Sequence, residues 1–249
     1  WVRCCGKIAR ALDIKFRRAL GYMPQQQGLY DSYTGRRFLS YMCALKSVPV
    51  TEVPDQVDRV AEWVNLSGEL DKRLAAYSGG MKQRVVIAIA MICNPELIIC
   101  DEPTTALDVT IQAQIMELLK DLQVKEGKSI VLITHNMGLV AEMADEVCVM
   151  YMGRVVEFGS LEDVFDRTSH PYTKALLRSV PVLGLADGQK LETIPGSTPN
   201  PANLKPGCEF ADRCPECTAA CREKDIPTFE ISPGHRVRCL KYKNFPEVD

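Results

Sequence analysis

Two short apolar segments that end in polar side chains constrain the fold of this 249-residue chain most strongly. Residues 97–100 read LIIC and are followed by Asp101-Glu102, and residues 129–133 read SIVLI and are followed by Thr134-His135. An amphipathic helix, predicted from about Val109 to Lys125, lies between them. Wholly apolar strands that alternate with helices are typical of a buried parallel sheet. The sequence therefore predicts an α/β fold.

The polar residues at the ends of these strands are candidates for a catalytic site. Ligands of open α/β sheets bind at the carboxyl ends of the strands, so charged side chains there often have a function. Asp101 is suited to holding Mg²⁺, and Glu102 to polarising an attacking water. His135 falls at the same expected edge, within reach of a γ-phosphate, and Asp108 supplies a further carboxylate. The alternative is a solvated strand end, with a structural histidine.

Ser78-Gly79-Gly80 opens a helix, MKQRVVIAIAMIC, whose C-terminal half is apolar on all sides and is therefore expected to be buried. A helix N-terminus offers free N–H donors and a partial positive charge, and glycines allow close approach, so the motif suits a phosphate oxygen. Serine is also a common N-cap residue, and this motif alone does not separate the two interpretations.

The remaining segments show periodic patterns that predict further elements. Two helices are expected over 35–47 and 53–66, and strands over 146–151 and 154–158 should meet in a hairpin at Met152-Gly153. Two short helices are expected in LEDVFDR and PYTKALLRSV, followed by an extended linker from Pro181 to Pro206.

The first twenty residues, WVRCCGKIARALDIKFRRAL, carry no clear strand pattern and predict a basic helical leader. Gly6-Lys7 invites comparison with the phosphate-binding loop G-x-x-x-x-G-K-[ST]. The comparison fails because Trp1 stands where that loop needs glycine and Ile8 where it needs Ser or Thr.

Composition narrows the function classes. Thirty Lys and Arg against 32 Asp and Glu give a net charge of -2, so nucleic acid is not indicated as a partner. No apolar run is long enough to cross a bilayer and no signal-peptide pattern is present, which predicts a cytoplasmic chain. In that compartment the 11 cysteines favour free thiols or metal ligands. Five of them fall between Cys208 and Cys239, in a segment with few large apolar residues that needs a metal or docking to be stable.

The order of motifs resembles the nucleotide-binding subunit of ABC transporters from about Gly21 to the C-terminus. The motifs are Gln25, YSGGM at 77–81, LIICDE at 97–102, ALD at 106–108 and ITH at 133–135. The resemblance implies a P-loop NTPase-like ABC domain with a helical subdomain at about 34–92 and a small cysteine-rich C-terminal extension. The implied domains are a leader or truncated remnant at 1–20, the ABC domain at 21–165 and the extension at 166–249.

The resemblance also implies residue roles. Gln25 matches the glutamine that senses Mg²⁺ and the lytic water, and Asp101 matches the Walker B magnesium residue. Glu102 matches the catalytic base and His135 the switch histidine on the γ-phosphate. The signature that caps the other subunit's ATP matches Ser78, Gly79 and Gly80. Asp108 matches the aspartate at the dimer interface.

Finer similarity points to the dipeptide and oligopeptide importer branch. It lies in DEPTTALDVTIQAQIMELLKDLQ, HPYTKALLRSVP, GHRVRC and the segment from TIPGS to TAAC. Some members of that branch hold a [4Fe-4S] cluster, and the matching positions are Cys208, Cys214, Cys221 and Cys239. Four thiolates also suit zinc. Cys217 lies outside the family pattern and forms a C-x-x-C with Cys214, which makes it an alternative ligand.

By resemblance, the chain is expected to be a peripheral ATPase subunit on the inner face of the cell membrane. It would couple hydrolysis of ATP, with Mg²⁺, to uptake of peptides. Its expected partners are a second ATPase subunit, identical or different, two transmembrane permease subunits and, indirectly, an extracytoplasmic substrate-binding protein. Residues 28–34 and the helices after them match the family's permease contact.

Two alternatives remain open at this point. The family's Walker A loop should lie upstream of Gln25 and is not visible, so one alternative is a non-catalytic subunit that completes a partner's site with Ser78–Gly80. The other is a metal- or iron-sulfur-binding regulatory module. An ABC-fold protein of DNA repair or translation is disfavoured because basic patches are lacking.

Overall fold

A computed structural model describes residues 2–4, 7–9, 14–180, 193–200, 202 and 205–248. The contacts divide the chain into two compact units, Trp1–His135 and Asn136–Asp249. Most of the linker expected at 181–206 lies outside the described residues. No helix within the described ranges is long and apolar enough to span a membrane.

The first unit contains the parallel sheet that the sequence predicts. Its strands are β3 (Leu20–Met23), β4 (Leu97–Asp101) and β5 (Ser129–Ile133), in that spatial order. Met23 pairs with Cys100, and Asp101 pairs with Ile133. Because all three strands are parallel and in this register, their carboxyl ends lie at one edge of the sheet.

The helices of this unit agree closely with the sequence pattern. The predicted helices at 35–47, 53–66 and 109–125 are confirmed, the first two ending a turn earlier. In the helix that begins at Gly79, nearly every apolar side chain of the C-terminal half is buried, as its all-round apolar pattern predicts. The helices are α1 (Ile14–Ala19), α2 (Gly35–Leu45), α3 (Val53–Trp63), α4 (Gly79–Met91) and α5 (Val109–Lys125).

The N-terminal segment differs from its prediction. A helical leader without strands was expected, but β1 (Val2–Cys4) and β2 (Lys7–Ala9) form an antiparallel hairpin, and among the described residues of this segment only α1 is helical. β-branched Val2 and Ile8 favour extended backbone, and basic residues alone do not override that preference. Lys7 begins a strand, whereas the lysine of a phosphate-binding loop stands where a loop enters a helix.

The second unit is built on a five-stranded antiparallel sheet. Its strands lie in the spatial order Glu247–Val248, Thr228–Ser232, His235–Val237, Arg154–Ser160 and Glu146–Tyr151. The predicted hairpin is confirmed: β6 and β7 meet at Met152-Gly153, both with positive φ, as a tight two-residue turn requires. The three C-terminal strands were not predicted because they are short. The strands are β6 (Glu146–Tyr151), β7 (Arg154–Ser160), β8 (Thr228–Ser232), β9 (His235–Val237) and β10 (Glu247–Val248).

One face of β6 and β7 forms the core of the second unit. Phe210, from the cysteine-rich segment, is 1% exposed and packs with Tyr151, Val156 and Val164. The cysteine-rich segment therefore contributes a large apolar side chain to the core of this unit. The helices are α6 (Met137–Met143), α7 (Leu161–Phe165) and α8 (Pro171–Arg178), and the last two confirm the predicted short helices.

Candidate functional site

The carboxyl edge of the parallel sheet gathers the polar residues predicted to form a site. Asp101 is the last residue of β4 and Glu102 follows it, while His135 comes two residues after β5. The Glu102 backbone N–H donates to the carbonyl of Ile133 at 2.9 Å, which extends the pairing of the two strands to this residue. Gln25 follows β3 at the same edge and is exposed.

Glu102 and His135 are in direct contact. The imidazole Nδ1 of His135 lies 2.7 Å from Oε1 of Glu102, and the His135 backbone N–H donates to the same oxygen at 3.1 Å. A hydrogen bond to the carboxylate places the imidazole proton on Nδ1. The Glu102 side chain is 16% exposed, whereas that of His135 is 84% exposed. The pair therefore combines a shielded carboxylate with an imidazole that solvent and ligands reach.

The backbone at Glu102 is unusual. Its φ is +48°, a region that non-glycine residues seldom occupy and that clusters at functional sites. A turn follows, in which the Thr105 N–H donates to the Glu102 carbonyl at 3.2 Å. We call residues 102–105 the Glu102 turn. Its geometry directs the carboxylate toward His135 rather than along the strand.

Asp101 has a partner that the sequence did not indicate. The hydroxyl of Tyr22, on β3, donates to Asp101 Oδ2 at 3.3 Å. The hydrogen bond leaves Oδ1 and the other lone pairs of the carboxylate for a cation, and carboxylate oxygens are the ligands that Mg²⁺ prefers. Tyr22 was not singled out because a tyrosine in a short strand usually only packs.

A pair of amides joins the segment after β3 to the Glu102 turn. Gln83 of α4, 5% exposed, donates from Nε2 to the carbonyl of Pro103 at 2.7 Å. Its Oε1 accepts from Nε2 of Gln27 at 2.6 Å. Sequence analysis selected Gln25 from this run of three glutamines, and the amide that reaches the turn belongs to Gln27. No motif spacing distinguishes the two.

Ser78 and Asp108 both cap helices. The Ser78 side chain accepts from the Met81 N–H at 3.3 Å at the start of α4, and Asp108 accepts from the Ile111 N–H at 3.0 Å at the start of α5. For Ser78 this is the N-cap role that the sequence left open, and for Asp108 the cap was not predicted. The two caps use one acceptor of each side chain, so both residues keep acceptor capacity for other partners.

The two glycines of the signature motif lie against α5 and the residues before it. A Cβ built on Gly80 would come 2.8 Å from Cγ2 of Ile111, and one on Gly79 would come 3.4 Å from Cδ2 of Leu107. Position 80 therefore needs glycine for packing, whereas position 79 tolerates a methyl group. The structure brings the start of α4 next to the start of α5, and with it the signature motif next to Asp108.

Five cysteines of the second unit, all between Cys208 and Cys239, line one cavity of about 290 Å³. Burial raises the pKa of the Cys208 thiol to about 11 and also raises those of Cys214 and Cys239. At Cys221 burial acts in the same direction, but hydrogen bonds from Thr218 outweigh it and lower the pKa. The lining includes all five candidate ligands: Cys208, Cys214, Cys217, Cys221 and Cys239. Among the described residues, no three potential ligands are gathered closely enough to hold a metal ion.

A buried carboxylate organises the entry to α8 in the second unit. Glu157 is 0% exposed and accepts from the backbone N–H groups of Ser169 and His170, at 2.7 and 3.0 Å. Nε2 of His235 lies 2.9 Å from its Oε1. His170 is the N-cap of α8, and its Nδ1 accepts from the Tyr172 N–H at 3.1 Å. Burial lowers the pKa of His170 to about 4, which keeps that ring nitrogen free to accept.

Two regions of the chain match models of known families. The family described as ABC transporter matches residues 6–105, and the family described as oligopeptide/dipeptide transporter, C-terminal region, matches residues 156–221. The chain belongs to the ABC transporter ATP-binding proteins, in their oligopeptide/dipeptide branch. This ABC protein thus carries the motifs of both regions in the order that the sequence predicts.

Individual relatives agree. The oligopeptide transport ATP-binding protein AppD of Bacillus subtilis is 54% identical over 168 residues, which cover 67% of this chain and 50% of the relative. The corresponding protein OppD of Salmonella typhimurium is 42% identical, covering 83% and 62%. The chain spans about half the length of the curated relatives it matches.

A solved structure supports the ABC ATPase fold. CbiO1 of Clostridium perfringens, described as part of the ABC transporter complex CbiONQ, is 31% identical. The superposition has a TM-score of 0.56 and covers 61% of each chain. The fold is therefore that of an ABC ATPase.

Proposed function

We propose that this chain is part of the ATP-binding subunit of a peptide importer, which couples ATP binding and hydrolysis to uptake. The observation that carries the proposal is the contact between Glu102 and His135 beside Asp101, at the edge where α/β proteins bind ligands. The peptide class of substrate is carried over from the names of the relatives, which describe oligopeptide and dipeptide transport.

In this proposal the sheet edge handles the nucleotide. Glu102 acts as the general base for the attacking water, and the shielding of its carboxylate favours that role. His135, which is exposed, contacts the γ-phosphate. Asp101 and Gln25 hold Mg²⁺, an ion that neutralises charge on the phosphates when bound. Asp101 suits this ion, because its carboxylate keeps oxygen lone pairs that the hydrogen bond from Tyr22 does not use.

The signature residues serve a second nucleotide at a subunit interface. Ser78, Gly79 and Gly80 present the N-terminus of a 13-residue helix, whose N–H donors and dipole suit phosphate oxygens. Asp108 stands at the start of the neighbouring helix and contributes to the same interface. The proposal requires a second ATPase subunit, of the same or another sequence.

The permease partners would bind the helical layer of the first unit. A cavity of about 440 Å³ there is lined by apolar side chains of α2 and α4 together with Tyr22, Arg18 and Lys46. Tyr30 and Tyr41, both exposed, form an aromatic cluster with Phe38 nearby. Such a surface fits two transmembrane permease subunits at the inner face of the cell membrane, with a substrate-binding protein outside.

For the cysteine cavity we propose a [4Fe-4S] cluster held by Cys208, Cys214, Cys221 and Cys239. The donor set fits the group because four thiols facing one cavity are the usual ligands of such a cluster. The thiols would have to move closer and lose their protons on binding. After anaerobic purification we expect brown protein with about four iron atoms per chain, lost in Cys208→Ser and kept in Cys217→Ser. Colourless protein with bound zinc, or with no metal, would reject the cluster.

The catalytic assignment is tested with Glu102→Gln in the assembled transporter, reconstituted in membrane vesicles. Loss of a general base costs roughly 10² to 10⁴ in rate, so we expect ATP hydrolysis to fall at least about a hundredfold. ATP binding, measured by fluorescent nucleotide titration, should persist. The control is Glu117→Gln, an exposed glutamate of α5 away from the edge, which should hydrolyse ATP normally.

A second candidate function, suggested by the packing of the signature motif independently of Glu102, is a non-catalytic subunit that completes its partner's site. In that case Glu102→Gln would leave hydrolysis intact while Ser78→Arg abolished it. Retained hydrolysis in both variants would refute both candidates.

A further inference from the structure

The two oxygens of the Glu102 carboxylate have different surroundings. Oε1 receives the two nitrogen groups of His135, at 2.7 and 3.1 Å. Oε2 receives two hydroxyls: Thr105 Oγ1 at 3.2 Å and Thr134 Oγ1 at 3.5 Å, the outer limit for a hydrogen bond. Nitrogen donors thus hold one oxygen and hydroxyls hold the other.

This difference matters for the orientation of the Glu102 carboxylate. The backbone N–H of His135 fixes Oε1, because a backbone donor cannot turn away from it. Of the two hydroxyls at Oε2, that of Thr105 is the nearer, at 3.2 Å against 3.5 Å. Thr105 is therefore the side chain that best fixes the second oxygen.

We propose that Thr105 is a positioning residue for ATP hydrolysis, which holds Oε2 of Glu102 and so fixes the orientation of the carboxylate. The inference rests on the proposed function, because it assigns Thr105 a role through Glu102. Nothing in the motif comparison assigned a role to Thr105.

The local backbone supports this role. Thr105 closes the Glu102 turn with its N–H on the Glu102 carbonyl, and its side chain returns to the carboxylate of the same residue. Glu102 has an unfavourable positive φ, so both its main chain and its side chain need partners to keep one orientation. Thr105 supplies one partner to each, whereas Thr134 supplies only the longer contact.

The test compares three single variants of the assembled transporter: Thr105→Val, Thr105→Ser and Thr110→Val. Valine keeps the shape and removes the hydroxyl, serine restores it, and Thr110 is an exposed threonine of α5 that serves as the matched control. Each variant is measured for kcat and for KM for ATP, and thermal unfolding checks that all three fold alike.

We expect Thr105→Val to lower kcat about tenfold with KM unchanged, in line with the loss of one hydrogen bond to a charged group. Thr105→Ser should recover kcat to within about twofold, because serine restores the hydroxyl. Thr110→Val should match the parent, because its hydroxyl has no part in this contact.

The outcomes separate this inference from the proposed function. If Glu102→Gln is inactive but Thr105→Val keeps the parent's kcat, only the role of Thr105 is refuted. If Thr105→Ser is as impaired as Thr105→Val, the side-chain shape and not the hydroxyl is at issue, and the inference is again overturned. An active Glu102→Gln would remove the catalytic assignment itself, and the role of Thr105 with it.

Discussion

Replacing His170 with asparagine removes a titrating group from the N-cap of α8 while keeping a residue that caps helices well. In the parent protein the neutral imidazole accepts the Tyr172 N–H through Nδ1, in a site that is 1% exposed. Protonation would both bury a charge and turn that acceptor into a donor. The perturbation therefore tests whether this cap limits stability in acid.

The pKa gives the magnitude and the sign. Burial lowers the pKa of His170 from 6.5 to about 4 in the folded protein. Between these values the unfolded chain binds a proton that the folded chain does not, so stability is lost as pH falls from about 6.5 to about 4. At about 1.4 kcal/mol per pKa unit, the full loss is about 3 kcal/mol. His170→Asn should lack this loss, apart from a pH-independent cost for its smaller side chain.

The assay is denaturant-dependent hydrogen exchange of peptides that cover residues 156–178, at about pH 7.5 and about pH 4.5, values that bracket the titration. Between them the parent should lose about 2.5 kcal/mol more stability than His170→Asn. His135→Asn is the control, because that histidine is 84% exposed and belongs to the other unit. Equal losses in the parent and in His170→Asn would refute the reasoning.

Two further substitutions test packing and buried charge. Gly80→Ala should destabilise the first unit by about 1–3 kcal/mol in urea unfolding, because its Cβ would meet Ile111 at 2.8 Å, whereas Gly79→Ala should be neutral or slightly stabilising. Glu157→Gln should cost about 3 kcal/mol, because an amide cannot accept at both positions where the carboxylate does. Glu162→Gln, at an exposed position of α7, should cost under about 0.5 kcal/mol, and equal effects of the two would contradict the burial argument.

The long elements could be predicted because their apolar periods are unambiguous. The sheet edge followed from two strands with polar ends, and the structure brings Asp101, Glu102 and His135 together as expected. The N-terminal hairpin could not be predicted, because strands of three residues give no periodic signal and the basic residues around them suggested a helix. The C-terminal strands β9 and β10 have only three and two residues and likewise give no periodic signal.

Within the site, motif spacing identified carboxylates but not their partners. Thr105 and Tyr22 reach Glu102 and Asp101 only through a turn and a neighbouring strand. Gln83 lies on α4, and the signature motif covers only the first residues of that helix. Such contacts depend on rotamers and backbone angles, including the positive φ of Glu102, and a sequence pattern contains neither.

The amide pair beside the Glu102 turn restricts which sequences this fold accepts. The carbonyl of Pro103 can only accept, so Gln83 must turn its Nε2 toward it and its Oε1 toward residue 27. Residue 27 must therefore donate. Glutamate at position 27 would set two acceptors against each other, and asparagine would fall about one methylene short. Natural variants of this protein should therefore change positions 27 and 83 together, or keep a long side chain with an N–H at 27.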